Sequence, residues 1–213
     1  MIRLTENNDW VVLVLLGSIL VFVVVLQYLQ RESSVVKFFT QSFVDSSNIF
    51  PSYLLISLMY MLLLSTLLSS YVPIVPKFLS FWSIMGYSFS TFGFTFVAVL
   101  CFYFVKFIFS FFLYSSIGQD KKWGRLYFVS SKFYFALSLL LIVLLLIRFY
   151  FPVDSYLFYN GLLLLCVILF IFKVLFFTFN KNKILPDEWY YKFLYICTLQ
   201  FIPLLPMWKL LFL

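Results

Sequence analysis

The stretch LPDEWYYKFLYICTLQFIPLLPMWKLLFL, Leu185–Leu213, decides how this chain is read. Pro186 suits the first position of a helix, where a missing N–H costs nothing, and Asp187 and Glu188 follow in the first turn, where the helix dipole favours negative charge. Trp189, Tyr190, Tyr191 and Lys192 are the residues a membrane–water boundary selects. Beyond them the sequence is apolar, broken only by Thr198, Gln200, Pro203, Pro206 and Lys209. The reading is a membrane-spanning helix that begins cleanly and is then damaged. Pro203 and Pro206 each withhold a backbone donor, which strands carbonyls near Leu199 and Ile202, and in lipid that is tolerated only where protein or water supplies new partners. A Gln at mid-membrane is costly against lipid, so Gln200 should face another helix or a cavity. Gln200, Thr198, Pro203 and Pro206 therefore form a candidate partner or ligand site at a broken helix. The plainer alternative is a kinked packing helix that satisfies itself.

The rest of the sequence agrees with a membrane setting. Of 213 residues, 64% are hydrophobic and only 11% charged, and the mean hydropathy is +1.07. A water-soluble domain lacks the polar surface to hide so much apolar side chain. Apolar runs of about 20 residues, enough to cross a hydrocarbon core of ~30 Å, recur throughout. The expected fold is all-α: a single polytopic domain, 1–213, with about six transmembrane helices and one or two interfacial ones. The expected spans are 10–28, 53–71, 89–111, 133–151, 156–179 and 189–213. The first is too long for a signal-peptide core and is followed by Gln30, Arg31 and Glu32 rather than a small-residue cleavage site, so it reads as an uncleaved anchor. In 31–51, Val35, Val36, Phe39 and Phe43 suit a short interfacial helix or an ordinary loop. The run 78–117 is too long for one upright span and too short for two; it reads either as one long tilted helix or as an interfacial start leading into the third span. Ser83, Gly86, Ser90 and Gly93 make a small-residue stripe along it, of the kind that lets helix backbones approach in lipid. Ser115–Lys132 reads as the most basic connector, with Trp123 and Gly124 in a turn.

The net charge of +7 points to cytoplasmic loops and anionic headgroups rather than nucleic acid. Arg31, Lys37, Lys121, Lys122, Arg125, Lys132, Lys181, Lys183 and Lys192 fall in the odd-numbered connectors, whereas Arg3, Lys77, Arg148 and Lys209 fall in the termini and even-numbered ones. That asymmetry predicts a cytoplasmic basic face, with Lys121, Lys122 and Arg125 at the lipid headgroups and both termini outside. Lys106 and Lys173 lie within apolar runs. Their stems can reach the nearer interface, or they can hold a ligand or a lipid headgroup.

The absences are as informative. The chain has no histidine, and its acids (Glu6, Asp9, Glu32, Asp45, Asp120, Asp154, Asp187, Glu188) all lie outside the expected span interiors. Intramembrane aspartyl or metalloprotease chemistry, a Ser–His nucleophile and carboxylate-coupled ion transport each need groups the spans lack. No phosphate-cradling glycine motif occurs. Cys101, Cys166 and Cys197 each sit in an apolar run without CxxC spacing, as buried thiols do. No cofactor, metal or catalytic residue is expected; a Ser–Lys pair stays formally open, though no particular serine is brought to either lysine.

The segment from Glu188 to Gln200, followed by Pro203-Leu-Leu-Pro206, resembles the C-terminal signature of a family of uncharacterised integral membrane proteins of the Bacteroidota, defined as a domain of unknown function. The third span with Lys106 and the basic connector after it are similar to the same pattern, over roughly Tyr53–Leu213. The resemblance implies a bacterial inner-membrane protein and brings no activity with it. The expected function is a non-catalytic scaffold or accessory subunit of a membrane complex, such as one serving envelope assembly or protein export, with a membrane protein as partner. The alternative is a transporter or lipid-handling protein with its site at the proline-broken last helix.

Overall fold

The structure is a computed structural model that describes residues 9–29, 35–43, 48–72, 90–179, 184–186, 188–201 and 209. Among these there is no strand. The helices are α1 (Asp9–Val24, continuing as a wider π turn over Val25–Leu29), α2 (Val35–Thr40), α3 (Ile49–Ser69), α4 (Thr91–Ser116), α5 (Asp120–Tyr150), α6 (Ser155–Thr178) and α7 (Trp189–Ile196, continuing as a π turn over Cys197–Phe201). Five of them, α1 and α3 to α6, are long and apolar enough to cross a membrane. The chain is a polytopic α-helical membrane protein.

Helix α3 is the hub. It packs on α5, α4 and α1. Lipid tails are as apolar as leucine, so burying leucine gains little between helices in a bilayer; close fit and polar contacts decide which faces meet. On α3 the packing face carries buried Ser52, Ser57, Ser65 and Thr66 among Ile56, Leu63 and Leu67. The hydroxyls of Ser57, Ser65 and Thr66 donate to carbonyls of their own helix at 3.0, 2.9 and 2.8 Å, so they are satisfied without a neighbour. Their small size lets α4 close in until Thr95 Oγ1, which donates to the Phe92 and Thr91 carbonyls of its own helix at 2.9 and 3.0 Å, also comes within 3.3 Å of the Ser65 carbonyl. On α1 the buried residues Val11, Leu15, Ser18, Phe22 and Val25 follow helical spacing, while Leu13, Leu16 and Leu20 on the opposite side stand out toward lipid.

The basic connector expected over Ser115–Lys132 is mostly helix. After α4 ends at Ser116, Gly118 turns the chain at φ +70°, a left-handed value that glycine adopts without strain, and α5 starts at Asp120. Lys122 and Arg125 are good helix formers, and Asp120 favours a first turn, so charge here extends a helix rather than ending one. The resulting 31-residue α5 is roughly 46 Å long at 1.5 Å per residue, longer than the hydrocarbon core. Trp123 and Gly124 lie in its first turns. Lys132 donates to the carbonyls of Phe39 and Gln41 at 2.9 and 2.6 Å, which closes the end of α2 against α5. Of the two readings of 31–51, the helical one holds over Val35–Thr40, and Phe38 is buried against Phe135.

Of the small-residue stripe, Ser83 and Gly86 lie outside the described residues. Ser90 is the N-cap of α4, its hydroxyl accepting the Gly93 N–H at 3.1 Å. At the other end of the bundle, Asp154 caps α6 by accepting the Tyr156 N–H at 3.1 Å. Arg148 reaches Ser155 Oγ at 3.3 Å and lies over the Tyr71 ring at 5.4 Å, tying the end of α3 to the α5–α6 turn.

Candidate functional site

Lys106 lies on α4, inside the span, and it does not reach for the interface. Its side chain is buried, 9% exposed, and its Nζ donates to Gln200 Oε1 at 2.8 Å. Gln200 sits on the π turn after α7, is itself buried, and passes its amide N–H to the Tyr195 hydroxyl at 3.3 Å. The expectation that Gln200 faces protein is thus met by a residue nearly a hundred positions away. A π turn adds one residue to a helical turn and re-aims side chains, and such turns recur at functional sites. This one stands directly before Pro203, which has no N–H to offer Leu199.

Lys173, on α6, completes the group. Its nitrogen lies 5.5 Å from the Tyr134 ring centre and 5.8 Å from those of Phe133 and Phe177, and it lines the same crevice as Lys106. The two lysines line a narrow crevice between the helices. Tyr53 contributes from α3; Tyr103, Phe107 and Ser110 from α4; Leu126, Tyr127, Ser130 and Tyr134 from α5; Phe177 from α6; Tyr195 from α7. Tyr103 and Tyr60 join through their hydroxyls at 3.3 Å, and Tyr60 stacks on Tyr134 at 5.0 Å, so the crevice has a firm aromatic floor.

Helical spacing explains the convergence. Tyr103, Lys106, Ser110 and Tyr114 fall on one face of α4; Tyr127, Ser130 and Tyr134 on one face of α5; Lys173 and Phe177 one turn apart on α6. These polar stripes within apolar spans were the available signal for Tyr103, Ser110, Tyr127, Ser130 and Tyr134. The α5 stripe is hidden in sequence because its first half reads as a connector. The crevice lies in the half of the bundle facing the α2, α4–α5 and α6–α7 connections: Tyr53 is near the start of α3 and Lys173 near the end of α6.

Two lysine side chains share this space, and among the described residues no carboxylate lines it. Burial penalises the charged form of each amine, and a like charge nearby adds to that cost. Tyrosine and serine hydroxyls and one amide surround them, which can solvate an anion but cannot neutralise a cation. The arrangement gathers two lysine amines and several hydroxyl donors without a carboxylate among them. Both serines share the crevice with the lysines, yet no hydrogen bond joins a serine to Lys106 or Lys173 among the described residues.

The other expected site residues are placed differently. Thr198 donates back to the Leu194 carbonyl at 2.6 Å and does not line the crevice. Pro203 and Pro206 lie outside the described residues. Cys101 and Cys166 face outward as free thiols, and Cys197 is half-buried. Among the described residues no cluster of His, Cys, Asp or Glu is arranged to hold a metal ion.

Fold and crevice together define a multi-pass helical membrane protein with a cationic, hydroxyl-lined recess inside its bundle. The chain belongs to the family described as domain of unknown function DUF4271, whose model matches residues 10–211. No curated protein and no solved structure matches it.

Proposed function

We propose that this protein is a non-catalytic transporter or lipid-handling protein that receives an anionic ligand in the crevice at Lys106, Lys173 and Gln200. The observation that carries the reading is the Lys106–Gln200 contact at 2.8 Å beside a second, half-buried lysine that lines the same crevice. A lysine held only for packing would be better replaced by leucine, and a lysine held for topology would reach the interface. The membrane is the bacterial inner membrane, with both termini periplasmic, Lys121, Lys122 and Arg125 at the cytoplasmic headgroups, and the crevice in the cytoplasmic half.

The test is thermal stability of the purified protein in non-ionic detergent against a panel of anions: inorganic phosphate, oleate and phosphatidate. At least one anion stabilises the wild type, and the stabilisation disappears in Lys106→Gln. A wild type indifferent to every anion in the panel would remove the reading.

A second reading, a scaffold or accessory subunit of a membrane complex serving envelope assembly or export, is favoured by one observation. Helix α6 buries only Leu162 and Phe177 among its 24 residues, leaving a long apolar face that a partner helix can cover. Crosslinking in native membranes separates the two readings: a stoichiometric protein partner along α6 supports the subunit, lipid alone the first reading.

A further inference from the structure

Next to the polar crevice lies a second, narrower one. It shares Lys173, Phe177, Tyr195 and Gln200 with the first, so the two adjoin. Its remaining walls are Val174, Leu185 and Ile196. One end of the combined space is therefore cationic and rich in hydroxyls, and the other is apolar. The apolar end lies between α6 and α7, which barely touch. The outer faces of these helices, Leu175 and Phe176 on one and Phe193 and Leu194 on the other, are exposed to the lipid.

We infer that the ligand is a phosphate-bearing lipid, its headgroup at Lys106 and Lys173 and its chain leaving the bundle sideways between α6 and α7. This rests on the anion-receptor reading above. A phosphate monoester carries close to two negative charges and three acceptor oxygens, which matches two ammonium groups and the hydroxyls of Tyr53, Tyr127, Ser110 and Ser130. A carboxylate brings one charge and two oxygens and leaves one ammonium uncompensated. Free phosphate satisfies the polar end but makes no use of the apolar one, and each methylene of a chain buried there adds to affinity.

The experiment uses the full-length protein in non-ionic detergent, with native mass spectrometry and competition among three probes: dioleoyl phosphatidate, oleate and inorganic phosphate. Phosphatidate binds one to one, at least tenfold more tightly than either competitor. That binding falls at least tenfold in the Lys106→Gln/Lys173→Gln double variant, whose neutral side chains leave the fold intact. Ile196→Trp, which fills the apolar crevice, weakens phosphatidate while leaving any inorganic phosphate binding unchanged. Oleate binding as well as phosphatidate would overturn the phosphate assignment, and phosphate binding as well as phosphatidate would overturn the lipid assignment; either leaves the anion receptor standing. Phosphatidate binding retained in the double variant would overturn the placement of the headgroup. Failure of the wild type to bind any of the three would instead overturn the anion-receptor reading itself.

Discussion

At the scale of single residues, the two lysines govern the chemistry. Lysine tolerates burial in a membrane when a carboxylate or a ring of carbonyls receives it. Lys106 has a single amide oxygen, and Lys173 has aromatic faces and Lys106 itself. Their side chains are thus held at a cost that the empty fold does not recover, which is the usual mark of a binding group retained against stability. The prediction is that Lys173→Met stabilises the ligand-free protein by about 1–3 kcal/mol, the scale of an unsatisfied buried polar group, while abolishing ligand-induced stabilisation. Thermal unfolding with and without added anion reads both. A Lys173→Met protein less stable than the wild type would mean that the lysine serves the fold. Sequence reading singled out Lys106, Lys173 and Gln200 as candidates, because a polar group in an apolar run stands out by itself. It could not join them, since their convergence depends on how α4, α6 and the turn after α7 rotate about their axes.

At the scale of elements, the bundle depends on where small residues sit. Ser65 is fully buried where α3 meets α4, with Thr95 donating to its carbonyl. Ser65→Leu should force the two helices apart and cost about 1–3 kcal/mol, the usual penalty of overpacking. Ser69→Leu, half-buried a turn later, is the matched control and should leave the unfolding temperature nearly unchanged. Equal losses in the two would show that leucine is unwelcome throughout the end of α3 rather than at a specific contact. The stripe at Ser83, Gly86, Ser90 and Gly93 was the more conspicuous small-residue pattern. Of that stripe Ser83 and Gly86 lie outside the described residues and Ser90 is a cap, while on α3 Ser52, Ser57, Ser65 and Thr66 are buried in the packing face. A regular spacing of small residues marks a face that can be approached; only a partner helix makes it an interface.

At the scale of the whole molecule, charge asymmetry and the crevice agree on one side of the membrane. The turn between α4 and α5 and the crevice share an end of the bundle, and the turn between α5 and α6 marks the other. In a cysteine-free background, a cysteine at Gln119 should react with a membrane-impermeant thiol reagent only after the membrane is opened, and one at Ser155 should react in intact spheroplasts. The opposite pattern would place the crevice in the outer half of the bilayer and reverse the proposed orientation.

The sequence by itself determined that this chain is helical and lives in a membrane, because chain length per span and the cost of an unpaired backbone group in lipid leave little choice. It also determined which polar residues the spans must accommodate. Only the tertiary structure decided which face of each helix turns inward. In water an apolar stripe announces its own burial, but in lipid both faces of a helix are apolar, as Leu15 and Leu16 on α1 illustrate, one buried and the other 60% exposed. What orients the helices is contact: Thr95 reaching the Ser65 carbonyl, Lys132 closing α2, and Lys106 meeting Gln200 across the bundle.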